Sequence, residues 1–226
     1  MQYSTPYTPP TLTVDAVLFQ IIDSVLHVCL IKRSNEPFAG QWALPGGYSP
    51  EGETTIQALE RIVELKSGIN VINDLSYIEQ LYTFDTVARD PRGHAVSVTY
   101  MGAGRSITPV SEKGDASFFP INALPEVAYD HEEIIKYAHQ RLIAKLTYTN
   151  AVYAFLPSRF SLAELQSAYE AIFEHELDKR NFRKKFLNLG LTEETDEMRR
   201  EGAHRPARLH RFKDSSLTVL SRSFDW

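Results

Sequence analysis

The 226-residue chain has a single cysteine, Cys29, which excludes an internal disulfide framework and any cysteine-based zinc cluster. Lying within VLHVCLIKR, Cys29 reads as a small buried hydrophobe. No run approaches the roughly 18 uncharged apolar residues that span a bilayer, and MQYSTPYTPPTLTVDAV lacks the basic and then apolar order of a secretory signal. Those absences predict a cytoplasmic chain with no membrane partner. Internal repeats and low-complexity runs are also lacking, apart from a proline-containing start, residues 1–10. What is there is ordinary for a folded protein: 43% apolar, 11% aromatic and 23% charged residues.

The net charge of −5 conceals a division. Residues 1–150 hold 11 basic against 17 acidic side chains, net −6, whereas 179–213 hold 11 against 5, net +6. A local concentration of positive charge is the footprint that matters for phosphate backbones.

The first part reads as strands with two helices. TLTVDAVLF and VLHVCLIKR suggest a hairpin around Asp23 and Ser24; LSYIEQLYTFDTVARD and HAVSVTYMGAG are rich in β-branched and aromatic residues around the turn Asp90-Pro91-Arg92-Gly93. TTIQALERIVELKSG reads as a helix closed by Gly68. A second helix starts at Asp130 with Glu133 in capping-box spacing and carries Ile134, Ile135, Ala138, Leu142 and Leu146 on one face. After a short apolar connection the pattern becomes helix, turn, helix and basic strand, which places a boundary near residue 150. The class is α+β, with domains 1–150 and 151–226.

Gly47 to Ile69, GYSPEGETTIQALERIVELKSGI, has a glycine, five residues, a glutamate, seven residues, an arginine, then a helix ending in glycine and an apolar residue. This resembles a Nudix box and implies a Nudix-like α/β/α sandwich. In that family the residues after the arginine hold divalent metal through carboxylates at i, i+3 and i+4. Here they are Ile62, Leu65 and Lys66, so two cannot ligate a cation and the third repels one. At about 100° per residue, Glu60 and Glu64 project roughly 160° away from that face. No catalytic residue, metal ligand or required cofactor is therefore expected. Gly46, Gly47 and Gly68 read first as turn and cap residues and Arg61 as the partner of Glu53, and Gly46, Gly47, Glu53 and Arg61 are also candidates to contact an effector. A phosphate ligand can still bind, because Arg33, Lys66, Arg89 and Arg92 favour anions without metal.

YTFDTVARDPRGHAVSVTYM, residues 82–101, is similar to the corresponding stretch of Nudix ADP-ribose pyrophosphatases. That resemblance implies an ADP-ribose pocket, with Phe38, Trp42 and Phe84 as candidates to stack an adenine and Arg89 and Arg92 to pair phosphates.

In the second part, Ser161 and Glu164 form a capping-box pattern ahead of Leu162, Leu165, Tyr169, Ile172 and Phe173 at helical spacing. Asp178 can cap KRNFRKKFLNLG, ended by Gly190. Phe182, Phe186 and Leu189 form its inward stripe, leaving Arg180 and Lys184 opposite, with Asn181 and Arg183 on the flanks and Lys179 at the start. Such a face suits base edges and phosphates of a major groove. RREGAHRPARLHRFK, residues 199–213, supplies Arg205 and Arg208 to a basic stretch suited to the wing of a winged helix.

FSLAELQSAYEAIF, LDKRNFRKKFLNLG and RPARLHRF together resemble the Nudix-related transcriptional regulators of NAD metabolism, over roughly residues 10–213. The resemblance implies a homodimeric repressor of NAD-metabolism genes that binds inverted-repeat operators in double-stranded DNA. It also implies ADP-ribose as an effector that weakens DNA binding. Two other classes stand beside this reading: an ADP-ribose pyrophosphatase recruiting Glu53, Glu60 or Glu64, and a nucleotide-sensing adaptor contacting a protein through its basic helix. The tail DSSLTVLSRSFDW has no reading from sequence.

Overall fold

A computed structural model of the chain describes residues 8–110, 115–200, 206–214 and 216–220. Its first part runs β1 (Thr11–Ile22), β2 (Val25–Lys32), β3 (Trp42–Ala43), β4 (Gly46–Tyr48), α1 (Thr55–Ser67), α2 (Val71–Asp74), β5 (Tyr77–Phe84), β6 (Ala95–Ala103), β7 (Ala116–Pro120) and α3 (His131–Tyr148). A 3-10 turn, Ala151–Phe155, leads into β8 (Phe160–Ser161), α4 (Leu162–Phe173), α5 (Lys179–Asn188), β9 (Thr192–Arg199) and β10 (Ala207–Phe212).

The mixed sheet has the order β3-β2-β1-β6-β5, with β4 added to β1 and β7 to β2. Strand alternation makes it the middle layer of a sandwich. Val17 and Phe19 enter the core that contains Ile134, Ala138 and Leu142 of α3, while Ala16 and Leu18 pack with Leu59 and Val63 of α1. Cys29 joins the α1 side, where burial pushes its thiol up to about 12. Thr54 and Gln57 form a reciprocal cap on α1, and Gly68 ends it at φ 67°. A β-carbon at Gly68 would collide with the Val110 backbone.

One expected cap does not form. Asp130 stands at the N-cap of α3, but its side chain makes no capping hydrogen bond. Both its oxygens accept from Arg89, at 2.8 Å each. A charge-assisted bidentate pair outcompetes a neutral backbone donor.

The second part holds the expected helix-turn-helix. Ser161 and Glu164 close their capping box, Asp178 accepts from the Asn181 amide at 2.8 Å, and β9 and β10 form an antiparallel hairpin joined to β8. The core does not stop at residue 150. The cluster that holds α3 also takes in Val152, Phe155, Tyr169, Phe182 and Phe186. His139 of α3 meets the Ile172 carbonyl of α4 at 2.6 Å, and the Tyr153 hydroxyl donates to Ser76.

The tail has a place in this junction. Asn150, 1% exposed, donates to the Ser216 carbonyl at 2.9 Å and accepts from the Thr218 amide at 2.7 Å. Thr149 bridges Val219, and the Leu220 amide reaches the Tyr148 carbonyl. Asn150→Ala leaves two backbone groups without their partner and is expected to cost about 1–3 kcal/mol. Urea unfolding reads that loss, and amide exchange at Thr218 should accelerate. Unchanged stability and exchange would mean that the side chain does not hold the tail.

Candidate functional site

A cleft of about 840 Å³ opens among β1, the end of β2, β4, α1 and the start of α3. Its wall includes Arg33, Gly46, Gly47, Arg61, Lys66, Arg89 and Arg92, seven residues singled out from the sequence. The other four lie outside the lining. Glu53 binds Arg61 at 2.6 Å, the expected pair. Phe38 packs edge-on behind Tyr129, Trp42 packs on Phe119 in the α3 core, and Phe84 joins Tyr82 and Tyr137. The aromatic rings that do line the cleft are Tyr48 and Tyr129.

The basic side chains differ in how far they are committed. Arg89 is 5% exposed, held by Asp130 and 3.6 Å from Asp15. Arg92 grips Asp90 at 2.6 Å, donates to the Tyr48 hydroxyl at 2.9 Å and lies over the Tyr129 ring. Arg33 donates to the Pro37 and Asn35 carbonyls and stacks on Tyr129 at 4.8 Å. Lys66 donates to the Gly46 carbonyl.

Beneath them lies a buried polar group. Asp15 accepts from Ser97 at 2.5 Å and faces His131 at 3.7 Å. The His131 Nδ1 takes the Leu44 amide at 3.0 Å, so this nitrogen is unprotonated. Burial holds the His131 pKa below the ordinary histidine value, consistent with a neutral ring. A β-carbon at Gly46 would collide with the Asp15 carboxylate, which explains a glycine there.

Sequence reasoning passed over Asp15, Tyr48, Tyr129 and His131. Asp15 carried a visible signal, a charge inside the apolar run TLTVDAVLF. The two tyrosines meet only in the fold.

The face of α1 left by Ile62, Leu65 and Lys66 does turn to the cleft. Ile62 is 3% exposed and Leu65 77%. Glu60 and Glu64 are absent from the lining. Among the described residues no group of three or more His, Cys, Asp or Glu could hold a metal ion. The carboxylate set that a Nudix metal requires does not fit here.

The second candidate surface is α5. Lys179, Arg180, Asn181 and Lys184 are exposed and Arg183 is half-buried. Asp178, Lys179, Arg180 and Arg183 border a small concavity at the start of this helix. The hairpin behind it differs from the expected basic wing. Its first strand, β9, is acidic, so Arg208 pairs with Glu194 at 2.8 Å and Arg211 with Glu193 at 2.6 Å. Arg205 lies outside the described residues. Among the described residues Lys179, Arg180, Arg183 and Lys184 have no ion-pair partner, so α5 presents unneutralised positive charge.

Fold and surfaces define the class: a NUDIX sandwich joined to a DNA-binding winged helix. The NUDIX domain family matches residues 11–139, and the NrtR DNA-binding winged helix domain matches residues 152–212. The chain is 34% identical over 213 residues to the "ADPR responsive transcriptional repressor NtrR" of Acinetobacter baylyi, covering 91% of this chain and 83% of that protein. Shewanella oneidensis NrtR in complex with a 27mer DNA superposes with a TM-score of 0.80 at 33% identity, over 95% of this chain and 99% of that one. The NUDIX domain of the same protein, in complex with ADP ribose, matches with a TM-score of 0.52 at 35% identity, over 60% and 90%. An ADP-ribose pyrophosphatase of Methanocaldococcus jannaschii is 37% identical over 132 residues, covering 58% of this chain and 73% of that protein. The chain belongs to the NrtR family. No helix among the described residues is long and apolar enough to cross a membrane.

Proposed function

We infer that this chain is an ADP-ribose-responsive transcriptional repressor: residues 1–150 bind the effector, residues 151–226 bind operator DNA, and the effector releases the DNA. The observation that carries the reading is the pairing, on one continuous core, of a cation-rich cleft with a capped helix bearing four unneutralised cations. We assign the diphosphate to Arg33, Lys66 and Arg92 around Gly46 and Gly47, with Tyr48 and Tyr129 as the aromatic surfaces nearest to it. Arg61 with Glu53, and Arg89 with Asp130, hold the walls. We assign phosphate and base contacts to Lys179, Arg180, Asn181, Arg183 and Lys184. The operator is an inverted repeat in NAD-metabolism genes and the reader a homodimer, because helix-turn-helix symmetry mirrors operator symmetry.

Release requires ADP-ribose to bind the DNA-incompetent arrangement better than the competent one. Helix α3 is placed to carry that difference. Its N-cap, Asp130, and its first residue, His131, reach Arg89 and Asp15, its middle touches α4 through His139, and its end is tied to the tail. The chain itself is not a hydrolase on this reading, since Ile62, Leu65 and Lys66 hold no metal. The archaeal relative's name favours the opposite reading, which incubation with ADP-ribose and Mg2+ or Mn2+ decides by the appearance of AMP.

The deciding experiment is selection of genomic fragments by the purified chain, with and without excess ADP-ribose. An enriched inverted repeat that ADP-ribose releases supports the proposal; absence of enrichment, or enrichment indifferent to ADP-ribose, refutes the repressor or its signal respectively. Arg180→Ala and Lys184→Ala are each expected to weaken operator binding by about 1–3 kcal/mol while ADP-ribose binding stays intact. Full DNA affinity in both variants would move recognition off α5.

A further inference from the structure

The cleft contains a cation that the protein does not neutralise. Lys66 stands on the last turn of α1, half-buried, and the Gly46 carbonyl accepts from it. Among the described residues no carboxylate lies within ion-pair distance of it. Asp15 attracts it from farther away, but that carboxylate is already shared by Arg89, His131 and Ser97. Burial, then the nearby Arg33, drive the Lys66 ammonium below the ordinary lysine pKa, and Arg92 adds to the effect. An ammonium has three donors, and a partly desolvated one without a counter-ion is costly until an anion arrives.

The position of this lysine gives the charge a meaning. The Nudix pattern asks for metal-ligating carboxylates where Ile62, Leu65 and Lys66 stand. Ile62 is packed against Val14 and Ala58, and Leu65 is apolar, so neither replaces a carboxylate. A divalent cation brought there would meet Lys66 with charge of the same sign.

We propose that Lys66 stands in for the metal itself: its ammonium is a tethered cation that holds the diphosphate of the effector at Gly46 and Gly47, so that effector binding needs no divalent ion. The identity of the ligand as ADP-ribose rests on the function proposed above; the anionic class of the ligand rests on Lys66 and its neighbours alone. Arg33 and Arg92 both act on Lys66 with charge of its own sign, and a diphosphate relieves that repulsion. Lys66 is already partly desolvated where it stands, whereas Mg2+ surrenders its water reluctantly.

The test is calorimetric titration of the full-length protein with ADP-ribose, ADP, inorganic pyrophosphate and adenosine, in EDTA and in Mg2+. The wild-type protein is expected to bind ADP-ribose as well in EDTA as in Mg2+. Lys66→Gln keeps a donor for Gly46 but removes the charge, and is expected to weaken ADP-ribose and ADP by about 10- to 100-fold. Lys66→Arg should retain most of the affinity, and thermal melts check that both variants fold. In the wild type, ADP-ribose affinity should fall as pH rises through the lowered Lys66 pKa, and Lys66→Gln should lose that dependence.

A wild-type requirement for Mg2+, equal affinity in Lys66→Gln, or no binding of any phosphate ligand would overturn the proposal. Binding of ADP and pyrophosphate that depends on Lys66, without binding of ADP-ribose, would sustain it and refute the effector instead. ADP-ribose binding indifferent to Lys66 would do the reverse.

Discussion

Arg89→Met is expected to destabilise the NUDIX domain by about 3–5 kcal/mol, because it leaves a buried carboxylate pair without its cation. Arg89 is the shared partner of Asp130, through two 2.8 Å hydrogen bonds, and of Asp15 at 3.6 Å. All three side chains are largely buried, at 5%, 17% and 7% exposure, so water screens the loss only weakly. For a chain of this size the midpoint of thermal unfolding should fall by roughly 10 °C. The pair also ties the segment that carries Asp90 and Arg92 to the first turn of α3. Any loss of ADP-ribose affinity should therefore accompany the loss of order.

Asp130→Asn in the Arg89→Met background should recover part of the stability, since one of the two stranded charges is gone. A cost below about 1 kcal/mol, the range of exposed pairs, would show that the pair is not structural. Arg89 would then return to the residues available for phosphate.

Arg89 also marks the limit of what the sequence tells. From its type and its place in YTFDTVARDPRG it is a phosphate ligand as plausibly as a strut. Its partners stand 41 and 74 positions away, beyond any local pattern. The same pair removed the cap that Asp130 promised for α3. By contrast the β1–β2 hairpin was legible, since its strands alternate and its two turn residues, Asp23 and Ser24, tolerate φ of 50° and 62°. Helix α1 was legible to the residue at its end, through Gly68.

Strand β9 was not. TEETDEMR has no apolar alternation, because both its faces are largely exposed, and it is a strand through its ladder with β10. That hidden acidic strand is also why the wing carries less free positive charge than RPARLHRF suggests. In the cleft, the cations were readable by type around the Nudix box. The aromatic residues were not, since Trp42 and Phe84 went to the core and a surface cluster while Tyr48 and Tyr129 came to the wall.

Phe186→Ala should separate the two halves of the molecule if they are separable. The Phe186 ring is fully buried where α4, α5 and the wing meet, 5.9 Å from Phe182, 6.0 Å from Tyr169 and 6.4 Å from Phe212. Truncating such a ring costs about 3–5 kcal/mol, through lost transfer energy and the cavity left behind. A winged helix of some sixty residues has little more stability than that to lose. Helix α5 would then no longer be held against α4, and operator binding should vanish although no DNA-facing side chain has changed. The cleft is built from β1, β4, α1 and the start of α3, none of which touches Phe186 through these rings. ADP-ribose binding should therefore survive, and far-UV circular dichroism should retain the signal of the sheet and of α1 and α3. Yet the core runs without a break from Phe186 through Tyr169 and Phe155 to Leu142 and Phe19. Loss of ADP-ribose binding in Phe186→Ala, with a single cooperative melt in the wild type, would mean that effector and operator halves fold as one unit. Coupling would then be carried by the whole core and not by α3.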